Sequence, residues 1–389
     1  MRTPRFLLAA AVGLVLTACG SRLTTEPLST DTRPTDQPAV AGDYPEQPDG
    51  VPFPTAEWPV GDLPADVSRT VLDTAAASAF GADDAAARVR SLVVVKGGEI
   101  VYERYHPLDG PDNRYNSFSV AKSFTSALVG LAVADGELAL DDTGLRPEWA
   151  GDHRRDVALV ELLQMSSGLQ WDEVYEAPSD PLDVIAAQDA AALVAAKPLE
   201  SEPGTVFEYS TGTTALLVGL VADRHGGCAA TADYLHTRLL DSIGITTDTL
   251  LTDGDGCWLG GLGADMTTRD FARFGPLYLR GGEWDGRQIL PESWIDATRV
   301  PAPTNADYGL QWWLGADGVF SAEGLFGQRV VVDPADDLVI AANSTADGDP
   351  FTLVDAVRAE LLSPTGPDAA PPSATTTVVT APLTLPPTN

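Results

Sequence analysis

Apolar residues follow strand-like patterns near both ends of the chain and helical spacing between them. Residues 91–95 and 99–105 flank Lys96-Gly97-Gly98, which predicts a β-hairpin with a glycine turn. Helical spacing predicts a helix before this hairpin, over 66–80. The C-terminal pattern predicts four strands and a closing helix, over 309–314, 319–322, 328–333, 337–343 and 351–361.

The middle of the chain, about 137–250, has a mostly helical pattern. Its amphipathic segments lie near 157–165, 182–196, 213–225 and 230–240. Strands at both ends with a helical middle predict the α+β class. We therefore expect one antiparallel sheet assembled from both ends of the chain, flanked by helices and carrying a mostly helical insert.

A serine and a lysine begin the apolar stretch 115–136, which has helical spacing and is closed by Gly136. Ser119 and Lys122 are three residues apart, so they share one helical face. The chain has only three lysines, and a lysine inside an apolar helix requires a reason. Burial lowers the pKa of an amine, which can then activate a serine hydroxyl. The Ser119 N–H, unpaired at a helix start, can donate to an oxyanion.

Four segments in order carry a family resemblance, although Ser-x-x-Lys alone is weak evidence. Residues 115–124, Tyr-Asn-Ser-Phe-Ser-Val-Ala-Lys-Ser-Phe, resemble the nucleophile motif of the serine β-lactamase and penicillin-binding superfamily. The resemblance is strongest to its branch of esterases and 6-aminohexanoate-dimer hydrolases. Residues 162–173 and 320–328 are similar to the segment after the nucleophile helix and to the strand lining the site. Residues 202–212 are similar to the second motif, with Thr211 where Asn or Ser is usual.

The resemblance implies a β-lactamase/transpeptidase-like fold and a Ser-Lys-Tyr serine hydrolase. Ser119 would attack a carbonyl, while Lys122 and Tyr209 exchange the proton; either of the two is the base. The N–H groups of Ser119 and Ala322 would form the oxyanion hole. The third motif departs from the usual Lys-Thr-Gly, because Val319 takes the lysine position. The missing cation favours a small neutral ester or amide over a β-lactam.

Two other functions remain open at this point. A penicillin-binding D-Ala-D-Ala carboxypeptidase or β-lactamase would use the same residues, and a non-catalytic binding or sensor protein would keep only the fold. Trp171, Glu173, Trp312 and Trp313 are candidates for a substrate cleft, although aromatic residues near an interior are more often packing. The natural substrate and the oligomeric state are not specified by these motifs.

The N-terminal residues predict export and a lipid anchor. Residues 1–18 carry Arg2 and Arg5 and then an apolar run, as in a secretory signal peptide. Leu16-Thr17-Ala18-Cys19 resembles a bacterial lipobox, which implies acylation of Cys19 and an extracytoplasmic lipoprotein at the cell membrane. The predicted organisation is a disordered tether over 19–55, the hydrolase domain over 56–362 with its insert at about 137–250, and a disordered Pro/Thr/Ala-rich tail over 363–389.

The net charge and the cysteines of the chain restrict the classes of partner and cofactor that it can be expected to bind. The net charge of −32 argues against nucleic acid as a partner. The four histidines show no ligand spacing with the cysteines, so neither a metal nor another cofactor is expected. Cys228 and Cys257 are either a disulfide of an oxidising compartment or two free buried thiols.

Overall fold

The computed structural model describes residues 44–80, 89–345 and 350–366. The strands of this part are β1 (Val89–Lys96), β2 (Glu99–Tyr105), β3 (Arg114–Asn116), β4 (Thr249–Leu250), β5 (Ala264–Thr267), β6 (Glu283–Trp284), β7 (Arg287–Gln288), β8 (Trp313–Leu314), β9 (Phe320–Gly324), β10 (Gln328–Asp333) and β11 (Leu338–Ser344). The helices are α1 (Arg69–Phe80), α2 (Ala121–Ala134), α3 (Leu159–Leu163), α4 (Asp180–Ala186), α5 (Ala190–Ala195), α6 (Thr211–His225), α7 (Cys228–Leu235), α8 (Thr268–Leu279), α9 (Glu292–Thr298) and α10 (Pro350–Leu362).

The main sheet joins the two ends of the chain. Its six strands are antiparallel in the order β2-β1-β11-β10-β9-β8, and Val93 of β1 lies opposite Ala341 of β11. All seven residues of β11 are buried, which explains its nearly continuous apolar run. This arrangement confirms the sheet expected from the two strand clusters.

Helices cover both faces of this sheet. On one face, α1 and α10 pack over apolar residues of β1 and β11 around Leu72, Phe80 and Val357. On the other face, α8 lies against β11, where a Cβ on Gly275 would be 2.4 Å from Val339. Helix α2 continues this second layer and carries the serine and lysine motif into the larger core.

The tether prediction is wrong for residues 44–55, which pack onto the folded domain. The Tyr44 hydroxyl donates to the Tyr278 carbonyl over 2.6 Å, and Thr55 accepts from the Trp284 indole N–H over 2.7 Å. Phe53 packs on the Trp284 ring, with ring centroids 5.2 Å apart. The composition of this segment suggested a solvated linker, but the aromatic side chains of Tyr44 and Phe53 pack against the apolar core of the domain. The remainder of the expected tether, 19–43, lies outside the described residues.

The helical middle is more interrupted than its pattern suggests. The predicted segment 182–196 is two short helices, α4 and α5, because the chain turns between them at 187–189. A small sheet in the order β3-β5-β4 was missed in the sequence, since its strands have only two to four residues each. It matters for the site because β3 leads directly into the serine motif.

Cys228 and Cys257 form a disulfide in the structure. Within 44–80, 89–345 and 350–366, no helix combines the length and apolar character needed to cross a bilayer. The same residues contain no group of three His, Cys, Asp or Glu side chains arranged to hold a metal ion. Cys19, the expected signal peptide and tail residues 367–389 lie outside this part of the chain.

Candidate active site

Ser119 lies in a strained turn that leads into α2. The turn is the 3₁₀ segment Phe118–Val120, so Ser119 precedes the first α-helical turn on which it was expected. Phe118 has φ of 45°, a left-handed conformation that is uncommon for a bulky residue. Asn116 Oδ1 accepts the Phe118 N–H over 2.7 Å, and Phe326 contacts the Phe118 ring edge-on. These contacts hold Ser119 partly exposed beside an otherwise buried helix.

Lys122 is buried beneath Ser119 with only 1% of its surface exposed. Its Nζ donates to Ser119 Oγ over 2.9 Å, to Thr211 Oγ1 over 2.9 Å and to the Gly261 carbonyl over 3.0 Å. Burial lowers the pKa of Lys122 to about 8, and the negative charge of Glu173 opposes this effect. A larger fraction of Lys122 is therefore neutral near pH 7 than for a lysine exposed to water.

Tyr209 completes the group on the other side of Lys122. It precedes α6, whose N-cap Ser210 accepts the Thr213 N–H over 2.9 Å. The Lys122 ammonium nitrogen lies 4.7 Å from the centroid of the Tyr209 ring. Burial raises the pKa of Tyr209 well above its usual value, and a hydrogen bond with Ser119 opposes this shift. The structure thus brings Ser119, Lys122 and Tyr209 together, with a phenol that stays protonated at neutral pH.

Strand β9 passes close to the Ser119 backbone. A Cβ on Gly324 would be 3.2 Å from Ser119 N and 2.5 Å from the Ser117 carbonyl oxygen, so only glycine fits this approach. Ala322 lies two residues earlier in the strand and is buried, opposite Val330 of β10. The role of the Ala322 N–H as second oxyanion donor stays a prediction.

The Glu173 side chain lies beside the N-terminus of α6, and its carboxylate accepts four hydrogen bonds. One oxygen accepts the Thr211 hydroxyl over 2.5 Å and the Tyr175 hydroxyl over 2.9 Å. The other accepts the Thr211 N–H over 2.8 Å and the Trp171 indole N–H over 2.5 Å. A carboxylate offers about four acceptor positions. The Thr211 hydroxyl therefore links Glu173 to Lys122. The Glu173 carboxylate has no acceptor position left for a substrate.

Trp171 and Trp312, two of the residues expected at a cleft, occupy different environments. Trp171 is 6% exposed, and its ring fills the space beside Gly212 and orients Glu173. Trp312 has no exposed surface and packs against Tyr278, with ring centroids 4.5 Å apart. The structure therefore places Trp312 in the core, because successive side chains of an extended segment point to opposite sides.

Tyr308 and the Gly261 carbonyl were not identified as site features from the sequence, and Trp313 was only one of several cleft candidates. Trp313, not its neighbour, stacks on Tyr209 with ring centroids 5.7 Å apart, and Tyr308 meets the same ring edge-on. The Gly261 carbonyl, in the glycine-rich segment 260–263, accepts from Lys122. The glycine run was the available signal, because backbone that approaches a side chain closely often needs glycine.

Comparison with known proteins identifies the family. The family model described as Beta-lactamase matches residues 77–363. The chain belongs to the β-lactamase family. A curated relative, 6-aminohexanoate-dimer hydrolase of Paenarthrobacter ureafaciens, is 26% identical over 287 residues, which cover 66% of this chain and 72% of the relative.

Solved structures support the fold of this β-lactamase-family protein. A Bacillus anthracis protein attributed to the 6-aminohexanoate-dimer hydrolases superposes with a TM-score of 0.65 at 23% identity, covering 80% of this chain and 87% of that one. A D-stereospecific amidohydrolase of Streptomyces sp. gives a TM-score of 0.57 at 18% identity, covering 74% and 98%. The predicted family and the α+β fold are confirmed.

Proposed function

We propose that this protein hydrolyses a small neutral ester or amide through an acyl-enzyme on Ser119. The observation that carries the proposal is the buried Lys122 amine, 2.9 Å from Ser119 Oγ and with its pKa lowered to about 8. Serine hydroxyls need such a neighbouring base to become nucleophilic at neutral pH. A surface lysine beside a helix start would be neither desolvated nor surrounded by three acceptors.

In the proposed reaction, Ser119 Oγ forms a bond to the carbonyl carbon while its proton moves to neutral Lys122. The carbonyl electron pair moves to oxygen, where the N–H groups of Ser119 and Ala322 stabilise the negative charge. Collapse of this intermediate breaks the bond to the leaving oxygen or nitrogen, which takes a proton. Water then attacks the acyl carbon, Ser119 Oγ leaves and regains its proton, and the acid is released.

Lys122 acts as the base and Tyr209 as the proton donor in this proposal. The pKa of Tyr209 is raised well above its usual value by burial, so the phenol keeps its proton at neutral pH. Lys122, with a pKa of about 8, is the group of the two that titrates near neutrality. Tyr209 would protonate the leaving group and recover its proton from Lys122.

The preference for a neutral substrate rests on the third motif. Val319, at the position of the usual lysine, brings no positive charge, and its side chain packs partly buried in the apolar layer between the sheet and helices α1 and α10. Trp313 and Tyr308, packed against Tyr209, add an aromatic wall beside the reacting group. The relatives named hydrolase and amidohydrolase are consistent with ester or amide cleavage.

The proposed function is tested on the purified domain, residues 44–366. We expect a fluorophosphonate probe to label it at one site, with mass spectrometry placing the adduct on Ser119. We also expect p-nitrophenyl butyrate to be hydrolysed faster than nitrocefin. Rapid nitrocefin turnover would favour a β-lactamase, and a chain that neither reacts with the probe nor cleaves any acyl ester or amide would be a binding protein.

We also propose that the protein acts outside the cytoplasm as a lipoprotein. The support is the basic and apolar segment 1–18 followed by Cys19. Expression in a bacterial host should place the full chain in the membrane fraction, and Cys19→Ser should release it from that fraction. Equal membrane retention of the two chains would contradict the lipid anchor.

A further inference from the structure

Glu173 is separated from Lys122 by a single hydroxyl group. Thr211 Oγ1 accepts from Lys122 Nζ over 2.9 Å and donates to Glu173 over 2.5 Å. We propose that Glu173 is a positioning residue: through the Thr211 hydroxyl it holds Lys122 with its lone pair directed at Ser119. This inference rests on the proposed function and assigns Glu173 a part in the same reaction.

The direction of each hydrogen bond follows from what the groups can donate. A carboxylate only accepts, so Thr211 must give its one hydroxyl hydrogen to Glu173 and present lone pairs to Lys122. The Gly261 carbonyl, 3.0 Å from Nζ, also only accepts. A neutral amine has two hydrogens and one lone pair. Both hydrogens are used on Thr211 and Gly261, and the lone pair remains for the Ser119 hydroxyl at 2.9 Å.

The same arrangement suits the protonated state that follows. After Lys122 takes the Ser119 proton, its three N–H groups have three acceptors in place, Thr211, Gly261 and Ser119 Oγ. No side chain has to move during the transfer, which lowers the reorganisation cost. Without Glu173 as acceptor, the Thr211 hydroxyl is free to donate to Lys122 and occupy the lone pair.

Glutamine at position 173 makes this argument testable. The carboxylate oxygen bound by the Thr211 N–H and the Trp171 N–H faces donors that cannot reverse. The glutamine carbonyl must therefore take that side, and its NH2 group must face the hydroxyls of Thr211 and Tyr175. Both hydroxyls then accept, and the hydroxyl hydrogen of Thr211 turns toward Lys122.

The titratable groups around Lys122 and Glu173 define the pH readout. Tyr175, Tyr209 and Tyr308 face them, and burial raises the pKa of all three phenols well above the usual value. Further away, the Glu323 carboxylate acts on Tyr209, and Lys197, above the Trp171 ring, is paired with Asp180. The phenols remain protonated below pH 9, so Lys122 determines the rise of kcat/KM with pH.

We expect kcat/KM of the unmodified enzyme to rise with pH around a midpoint near 8, as Lys122 loses its proton. Glu173→Gln should lower kcat on the high-pH plateau by about 100-fold and leave KM within about twofold, because positioning is lost and no substrate contact is removed. The midpoint should move to lower pH, since the negative charge of Glu173 raises the pKa of Lys122.

Two further variants separate positioning from a structural role. Thr211→Val removes the hydroxyl and should lower kcat about as much as Glu173→Gln, with the double variant no worse than either. Thr211→Ser, which keeps the hydroxyl, should retain at least about ten times the activity of Thr211→Val. Glu200→Gln is the matched control, because Glu200 is exposed and its side chain binds only the Gln170 amide among the described side-chain contacts.

The outcomes of these experiments distinguish a failure of the positioning role of Glu173 from a failure of the proposed function. If the unmodified enzyme hydrolyses esters with its midpoint near 8 but Glu173→Gln has the same kcat and midpoint, the positioning role is wrong and the proposed function stands. A raised KM at unchanged kcat would instead make Glu173 a substrate contact. If the unmodified enzyme hydrolyses no ester or amide and takes up no probe, the proposed function itself fails.

Discussion

Replacing Ser119 with alanine should lower kcat for p-nitrophenyl butyrate by roughly 10⁴- to 10⁶-fold, because no other group supplies the attacking oxygen. The substitution removes one oxygen from a partly exposed side chain and leaves the Ser119 N–H and the Phe118 turn in place. The fold should therefore be unchanged, and labelling by fluorophosphonate should disappear. The measurements are steady-state hydrolysis, intact-protein mass after probe treatment, and circular dichroism.

Ser242→Ala provides a control of the same chemistry. The Ser242 hydroxyl donates to the Thr237 carbonyl, far along the chain from the site. The Ser242→Ala variant should show unchanged fluorophosphonate labelling and unchanged ester hydrolysis. Ester hydrolysis that survives Ser119→Ala at more than about 1% of the original rate would assign the nucleophile to another residue.

Replacing Lys122 with methionine should lower kcat by about 10³- to 10⁴-fold, because general-base activation of Ser119 is lost. Methionine keeps a similar length and fills the buried site, so packing is largely retained. The rise of kcat/KM near pH 8 should disappear with the amine that titrates there. The pH profile of the residual rate from pH 6 to 9 measures this directly.

The same variant should change how stability depends on pH. The pKa of Lys122 falls from its ordinary value of 10.5 to about 8 on folding, so the unfolded chain binds the proton more tightly. The unfolding free energy of the original protein therefore decreases as pH falls from 10.5 to 8, by about 3 kcal/mol, and stays lower below pH 8. Lys122→Met removes this dependence, and denaturant unfolding of both chains across that range measures the difference.

Lys96→Met is the control for the second prediction. Lys96 ends β1, and its amine donates to the Asp336 carbonyl on the surface of the sheet. It should change neither the midpoint near pH 8 nor kcat. A Lys122→Met protein that keeps the pH-dependent rise would show that another group is the base.

Much of the site could be inferred from the sequence because its chemistry is local. Ser119 and Lys122 are three residues apart, so the turn into a helix is enough to bring them within 2.9 Å. Thr211 was noted as an unusual residue in its motif, but its partner Glu173 lies 38 residues earlier. Only the packing of the 162–173 segment against the start of α6 reveals that link.

Other assignments depended on the direction in which a side chain points, which the periodicity of apolar residues does not determine. Trp312 and Trp313 are adjacent and equally aromatic, yet one is in the core and the other stacks on Tyr209. A one-residue change of register exchanges the two faces of an extended segment. Gln311, with φ of 63°, interrupts the strand just before them, and no pattern of apolar residues predicted that interruption.

The strand and helix periods determined by themselves the fold class and the antiparallel sheet, and Ser119 with Lys122 in residues 115–136 supplied the candidate nucleophile and base. The tertiary structure decided which acceptors surround Lys122, how deeply it is buried and where Glu173 lies. The physical reason is the distance along the chain over which each effect acts. Helix periodicity acts over one or two turns, whereas desolvation of an amine and the direction of its hydrogen bonds depend on Thr211 and Gly261, 89 and 139 residues away along the chain.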